Sequence, residues 1–341
     1  MRRYLPVLVL LFLSPLLAEF VFGATPVSNL GGIVPLVFFY GGGAVLIRGL
    51  GRRRGPGWRP IILLGAAYGI FEEGLVIQSM FNPDLFNAAR VGGRAMGVNW
   101  IWSEWTVGYH VIYSIVIPIM LSELLFPARK DEPWLGWKGL TVVGVLFILS
   151  AVLLGVVFRR IIAPDFRTPL PHAIVAALIT LVLGAAALRG PAERPVERSH
   201  FNARRVPSPW LVGLLAFLAA AAWFGLLLLP QTLKTGSLAL LPMLSGVALA
   251  AGMTALLRRW SNGVGGWSDL HRLALVIGAL PPMMLFGFFL VTASNRVDQI
   301  GQGIASVVTL VLLSIFAVRL QRYGQPAAAN ESSVPILKSA G

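Results

Sequence analysis

Hydrophobic residues along this 341-residue chain gather into ten runs separated by short polar stretches rich in Arg, Pro and Gly. The runs cover about residues 4–23, 31–50, 60–80, 103–125, 139–158, 170–188, 210–229, 237–257, 273–292 and 304–318. An α-helix needs about 20 predominantly apolar residues to cross the hydrocarbon core of a bilayer. The pattern therefore predicts an all-α, polytopic transmembrane helix bundle of about ten spans. The first run, after Met1-Arg2-Arg3, has the look of a secretory signal. It is long enough to span, however, and the bulky Phe22 stands two positions before Ala24, where a cleavage site wants a small residue. It is read as a retained first helix.

The runs differ in polarity. The last six contain no Asp, Glu, Lys or Arg, whereas the candidate membrane-embedded acids all belong to the first four. The expected organisation is a four-helix module with a polar Glu/His cluster over residues 1–138 and a six-helix apolar module over 139–320. A Pro-, Glu- and Arg-bearing linker over 189–209 interrupts the second module, and a disordered cytoplasmic tail covers 321–341.

Charge orients this bundle. With 56% hydrophobic and 12% charged residues the chain is no ordinary soluble domain, in which about a quarter of residues are charged. The 28 Lys and Arg against 14 Asp and Glu sit mostly in loops, as orientation signals do, so the lipid bilayer rather than nucleic acid is the expected partner. Ten spans with both termini cytoplasmic put 21 basic residues inside and 7 outside, which favours that orientation in a cell (inner, cytoplasmic) membrane. Arg159, Arg160 and Arg167 run against the bias and are read as headgroup contacts. There is no cysteine, hence no disulfide, thiolate site or lipoprotein anchor. The four histidines form no His-Glu-x-x-His motif, and no metal or cofactor is expected.

Candidate chemistry starts at Glu72-Glu73, two adjacent carboxylates inside an apolar run. Acids at membrane depth are costly and face the protein interior or water. On an α-helix Glu72 continues the Gly65/Gly69 stripe, where a neighbouring backbone comes close, and Glu73 points about 100° further round, toward water or a headgroup. On the fourth run Ser103, Thr106, His110 and Tyr113/Ser114 recur at spacings of three to four and form a polar stripe, with a kink at Pro118. Glu72 and His110 reach the same depth, about 10–12 Å below the outer boundary, and Glu19 lies slightly shallower. The catalytic candidates are Glu72, Glu73 and His110, with Glu19, Thr106, Tyr113 and Ser114 in support. Two neighbouring carboxylates in low dielectric do not both ionise cheaply, so one holds a proton that His110 can accept or relay. Trp100, Trp102 and Trp105, near the helix entrance, are read as headgroup markers.

Glu72-Glu73 followed by an intramembrane histidine resembles the CAAX-protease and bacteriocin-processing family of intramembrane proteases. That family's motifs are Glu-Glu-x-x-x-Arg, Phe-x-x-x-His and His-x-x-x-Asn or Asp. The resemblance covers residues 60–125. Ile77 stands at the Arg position and Thr106 at the Phe position, and His172 is followed by Ala176 where the third motif has Asn or Asp. The resemblance implies that Glu72 and His110 activate water for hydrolysis of a membrane peptide. Two other readings use the same residues: a proton-coupled transporter of a small solute, and a membrane assembly protein in which the acids only hold helices together.

Overall fold

The computed structural model describes residues 3–190, 206–261, 266–291 and 295–323. The linker and tail expected from the sequence lie outside the described residues over 191–205 and 324–341. Among the described residues the ten apolar runs coincide with ten helices. They are α1 (Leu5–Val21), α2 (Ile33–Arg52), α3 (Arg59–Ile70, continued by a π-helical turn over Phe71–Val76), α4 (Trp100–Leu125) and α5 (Trp137–Ile162). After these come α6 (Leu170–Arg189), α7 (Pro209–Leu228), α8 (Gly236–Ser261), α9 (Asp269–Val291) and α10 (Arg296–Arg322). Eight are long and apolar enough to cross a membrane; α1 is shorter, and α3 carries the two glutamates.

Several helices outrun their apolar stretches. α4 begins at Trp100 and α10 at Arg296, where Asp298 accepts from the Ser28 backbone N–H and hydroxyl at 2.9 and 3.0 Å and ties the helix start to the α1–α2 connection. The connection from α3 to α4 is compact. It holds a 3₁₀ segment at Leu85–Val91 and a two-residue antiparallel ladder, β1 (Arg94–Ala95) with β2 (Val98–Asn99), in which Arg94 faces Asn99. Asn99 closes it by donating to the carbonyls of Ser79 and Asn82 at 2.9 and 2.8 Å.

α2 and α4 are mostly buried, whereas α6, α8 and α10 turn most of their side chains outward. Small residues set the closest helix crossings, as lipid-embedded packing favours. A Cβ on Gly41 would strike the Leu11 backbone of α1, and one on Gly278 of α9 would strike the Gly213 carbonyl of α7. Aromatic rings fill the space on either side. Phe39 stacks on Phe147 at 5.4 Å beside Tyr40 and Tyr68. A second group joins Phe22, Trp105, Tyr109, Phe224 and Phe286, and the Phe224–Phe286 centroids lie 5.0 Å apart. Trp105 is thus a buried core residue, and the headgroup reading gives way: its ring packs against those of Phe22, Trp102, Tyr109, Phe224 and Phe286.

Candidate functional site

Four inner helices each widen into a π-helical turn at the same place in the bundle: Leu16–Val21 on α1, Val37–Gly41 on α2, Phe71–Val76 on α3 and His110–Val116 on α4. These turns carry Glu19, Tyr40, Glu72 with Glu73, and His110 with Ser114. Proline accounts for two of them. Pro15 precedes the first and Pro118 lies just beyond the fourth, each removing a ladder donor, whereas Pro35 sits in the first turn of α2, where no ladder donor is lost. Pro118 offers no N–H to the Ser114 carbonyl, which instead accepts from the Ser14 hydroxyl at 2.7 Å.

Gly65 and Gly69 let α4 approach α3. A Cβ on Gly69 would lie 3.2 Å from Val107 Cα and 3.3 Å from His110 Cβ. The His110 ring consequently sits between the two carboxylates. Nε2 is 2.9 Å from Glu73 Oε1, and Nδ1 is 3.1 Å from Glu72 Oε2 and 3.0 Å from Ser114 Oγ. The Tyr40 hydroxyl donates to Glu72 Oε1, and the Ser79 hydroxyl donates to Glu73 Oε2. Trp102 Nε1 donates to Ser79 Oγ at 2.9 Å, so this tryptophan supports the site rather than marking a headgroup layer. Glu72 is wholly buried, and Glu73 and His110 nearly so. Glu73 does not turn out to water as an α-helical 100° step would have it. The wider i→i+5 turn brings successive side chains closer in direction, and both glutamates face His110.

The other sequence candidates divide. Ser114 contacts His110 directly. Glu19 accepts from Thr25 Oγ1 at 2.6 Å and meets the cluster through Tyr40, which lies beside it. Thr106 donates to the Ser103 carbonyl of its own helix at 3.3 Å, and Tyr113 donates to the Ala279 carbonyl of α9 at 3.0 Å; neither joins the cluster. Sequence spacing assigns both to the histidine's face, but the Thr106 hydroxyl turns back onto its own helix, and the π turn beginning at His110 rotates Tyr113 away. Tyr68 carries no signal of its own in the sequence. Its ring lies 5.9 Å from that of His110, and its buried hydroxyl sits beside Glu72 without an aligned hydrogen bond.

The chemistry of this arrangement lies in proton exchange. Two titratable protons spread over two carboxylates and one imidazole leave the site neutral, the least costly state where water is excluded. They can be placed as one protonated glutamate with an imidazolium, or as two protonated glutamates with a neutral ring. A single transfer along the 2.9 Å contact converts one into the other. Glu72 Oε2, although close to Nδ1, makes no aligned hydrogen bond, and it is the cluster's one uncommitted carboxylate oxygen. Among the described residues no three His, Asp or Glu side chains are arranged to hold a metal ion.

A second polar cluster lies at the opposite ends of α2 and α4. Glu123 accepts from Arg48 Nε at 3.0 Å and from Arg52 Nε and Nη2, both at 2.7 Å. Arg48 lies 3.3 Å over the Trp134 ring and directs its remaining N–H groups to the carbonyls of Lys130 and Glu132. The sequence does carry a signal for this cluster, an arginine inside the second apolar run and a glutamate inside the fourth.

A family model described as an uncharacterized membrane protein family matches residues 8–264, three quarters of the chain, and the chain belongs to that family. No curated protein and no solved structure matches. The protein is a multi-pass integral membrane protein.

Proposed function

We propose, with that family membership as the premise, that the Glu72–Glu73–His110 cluster is an acid–base centre and that the protein is an intramembrane hydrolase acting on a membrane-borne peptide. The observation that carries this reading is a single histidine in contact with two buried carboxylates, one of which keeps an oxygen uncommitted. Ionised Glu72 takes a proton from water through Oε2 as the water oxygen bonds to the scissile carbonyl carbon. His110 gives its Nε2 or Nδ1 proton to the departing amine as the C–N bond breaks, and the products are a carboxylic acid and an amine. The proton on Glu72 then returns to the ring. Glu73, anchored by Ser79 and Trp102, orients His110, and Tyr40 fixes Glu72. The location of Tyr40, Glu72, Glu73 and His110 on π turns supports the reading, because such turns recur at functional sites. So does the resemblance of residues 60–125 to the CAAX-protease and bacteriocin-processing family.

A proton-carrier reading is favoured by one observation, the complete burial of Glu72. In it, the same carboxylates load and release a proton that drives a solute.

Glu72→Gln tests the centre, since it keeps the volume and most hydrogen bonds but cannot exchange a proton. The variant is expected at normal abundance in the membrane, with the cellular function lost by a factor of about 10²–10⁴ in turnover. A fully functional Glu72→Gln protein would exclude both readings and leave a purely structural role, in which Gln is tolerated and Leu lowers abundance. Proton uptake into proteoliposomes by the wild type, without peptide cleavage, would select the carrier.

A further inference from the structure

The acid–base centre leaves unexplained the basic character of the surface directly above it. The last turn of α5 carries Arg159 and Arg160 and its connection to α6 carries Arg167, while the connection between α3 and α4 carries Arg90 and Arg94. All five side chains are exposed, and none is ion-paired among the described residues. The two connections contain only two acids, Asp84 and Asp165. They also form one surface. Arg159 Nη2 donates to the Leu75 carbonyl at 2.7 Å, two residues past Glu73. Gln78 Oε1 accepts from the Thr168 backbone and hydroxyl at 3.1 and 2.9 Å, and His172 Nε2 lies 2.7 Å from the Met96 carbonyl. Phe86 packs edge-on against Phe158.

Apolar residues alternate with this charge. Ile161 is 72% exposed and Met96 82%, and Ile162 and Leu170 are exposed as well. Basic groups on an otherwise polar face fit nucleic acid or an acidic peptide. Guanidinium groups set among bare aliphatic side chains, at the ends of membrane-length helices, fit an anionic lipid, whose phosphate pairs with Arg while its glycerol and acyl carbons meet Ile, Leu and Met.

We infer that the paired α3–α4 and α5–α6 connections form a binding site for the phosphate-bearing headgroup of an anionic membrane lipid, at the rim of the Glu72–Glu73–His110 centre. The site selects lipid by headgroup charge, with Arg159, Arg160 and Arg167 as its principal ligands. This holds whether the buried cluster hydrolyses a peptide, carries a proton or does neither.

The test is thermal unfolding of the purified full-length protein in detergent, titrated with short-chain phosphatidylglycerol, with phosphatidylcholine, or with inorganic phosphate alone. Binding to the folded state raises the melting temperature. Phosphatidylglycerol is expected to raise it and phosphatidylcholine to leave it unchanged. Each basic residue at a membrane surface contributes about 1 kcal/mol to anionic-lipid attraction, so Arg159→Gln/Arg160→Gln/Arg167→Gln should need on the order of a hundredfold more phosphatidylglycerol for the same rise. Arg258→Gln/Arg259→Gln, in the last turn of α8, should respond as the wild type does. Arg160→Glu, a single charge reversal, keeps the test open should the triple variant fail to fold, and it too should weaken the response. Equal responses to both lipids, a wild-type response from the triple variant or from Arg160→Glu, or an equal rise with inorganic phosphate alone would overturn the assignment.

Discussion

Glu123 joins α2 to α4 through buried charge, and replacing it should lower stability by a measurable amount. It is 4% exposed and is the one carboxylate serving two buried guanidinium groups, Arg48 and Arg52, through three charge-assisted hydrogen bonds of 2.7–3.0 Å. At such distances a unit charge pair in a medium of effective dielectric about 20 attracts by at least about 4 kcal/mol. Removing one partner from a buried pair costs about 3–5 kcal/mol, because the other charge stays buried and uncompensated. Here two charges would be stranded. Arg48 retains carbonyls and the Trp134 face, and Arg52 retains the Pro56 and Gly57 carbonyls at 2.8 and 2.9 Å, so the lower half of that range is expected for Glu123→Gln. About 3 kcal/mol is more than a hundredfold in the folded-to-unfolded ratio and a large part of the roughly 5–15 kcal/mol that holds most proteins together. Denaturant unfolding of purified protein in detergent, checked against steady-state abundance in membranes, measures it. Glu123→Leu/Arg52→Leu should cost less than the sum of its single changes, because the cycle removes a shared interaction. Glu123→Gln unfolding at the wild-type midpoint, or strict additivity in the double variant, would show that the cluster contributes nothing net and refute the reasoning.

Two further outcomes are expected. Gly41→Ala should destabilise the protein by about 1–3 kcal/mol, because its Cβ must push α1 and α2 apart at Leu11; it should also impair function beyond the loss of folded protein, since the neighbouring Tyr40 would be drawn away from Glu72, and a variant of normal stability and activity would contradict the close crossing. Reporter fusions after Asn87 and at the C-terminus should report opposite sides of the membrane, as the distribution of 21 and 7 basic residues requires, and finding both on one side would overturn the ten-span topology.

The legibility of the fold in the sequence comes from how strongly lipid constrains a chain. Ten apolar runs become ten helices because no other backbone arrangement satisfies its own hydrogen bonds in hydrocarbon without closing into a barrel. Glu72, Glu73 and His110 stand out for the same reason, and their depths can be counted along the helices at about 1.5 Å per residue. Direction is harder to read than depth. The angle assigned to Glu73 and the face assigned to Tyr113 both assume an unbroken α-helix, and each residue lies on a π turn. Trp102 and Trp105 occupy a helix entrance where aromatic residues commonly mark the membrane surface, and only the packing of the α3–α4 connection and of α7 and α9 draws them inside. Arg48 and Glu123 are readable as charges within apolar runs, but which acid meets which base depends on the crossing of α2 and α4, and spacing along one helix carries no such information.

The prolines connect these points. Pro15 and Pro118 each remove a backbone donor from an inner helix, and the freed hydrogen-bonding capacity must be met without water. Side chains of neighbouring helices supply partners: Ser14 donates to the Ser114 carbonyl that Pro118 leaves unpaired, and Tyr109 donates to the Ala18 carbonyl near the end of α1 at 2.6 Å. These bonds join α1 to α4 on both sides of His110. The helices are therefore locally weakened where the ionisable groups sit, and they are held by interhelical bonds and aromatic packing in place of their own ladders. α3 has no proline at its wide turn. There the two glutamates and His110 themselves supply the interhelical contact, so a neutral substitution at Glu72 changes the chemistry while leaving most of the hydrogen bonding, whereas an apolar one removes both.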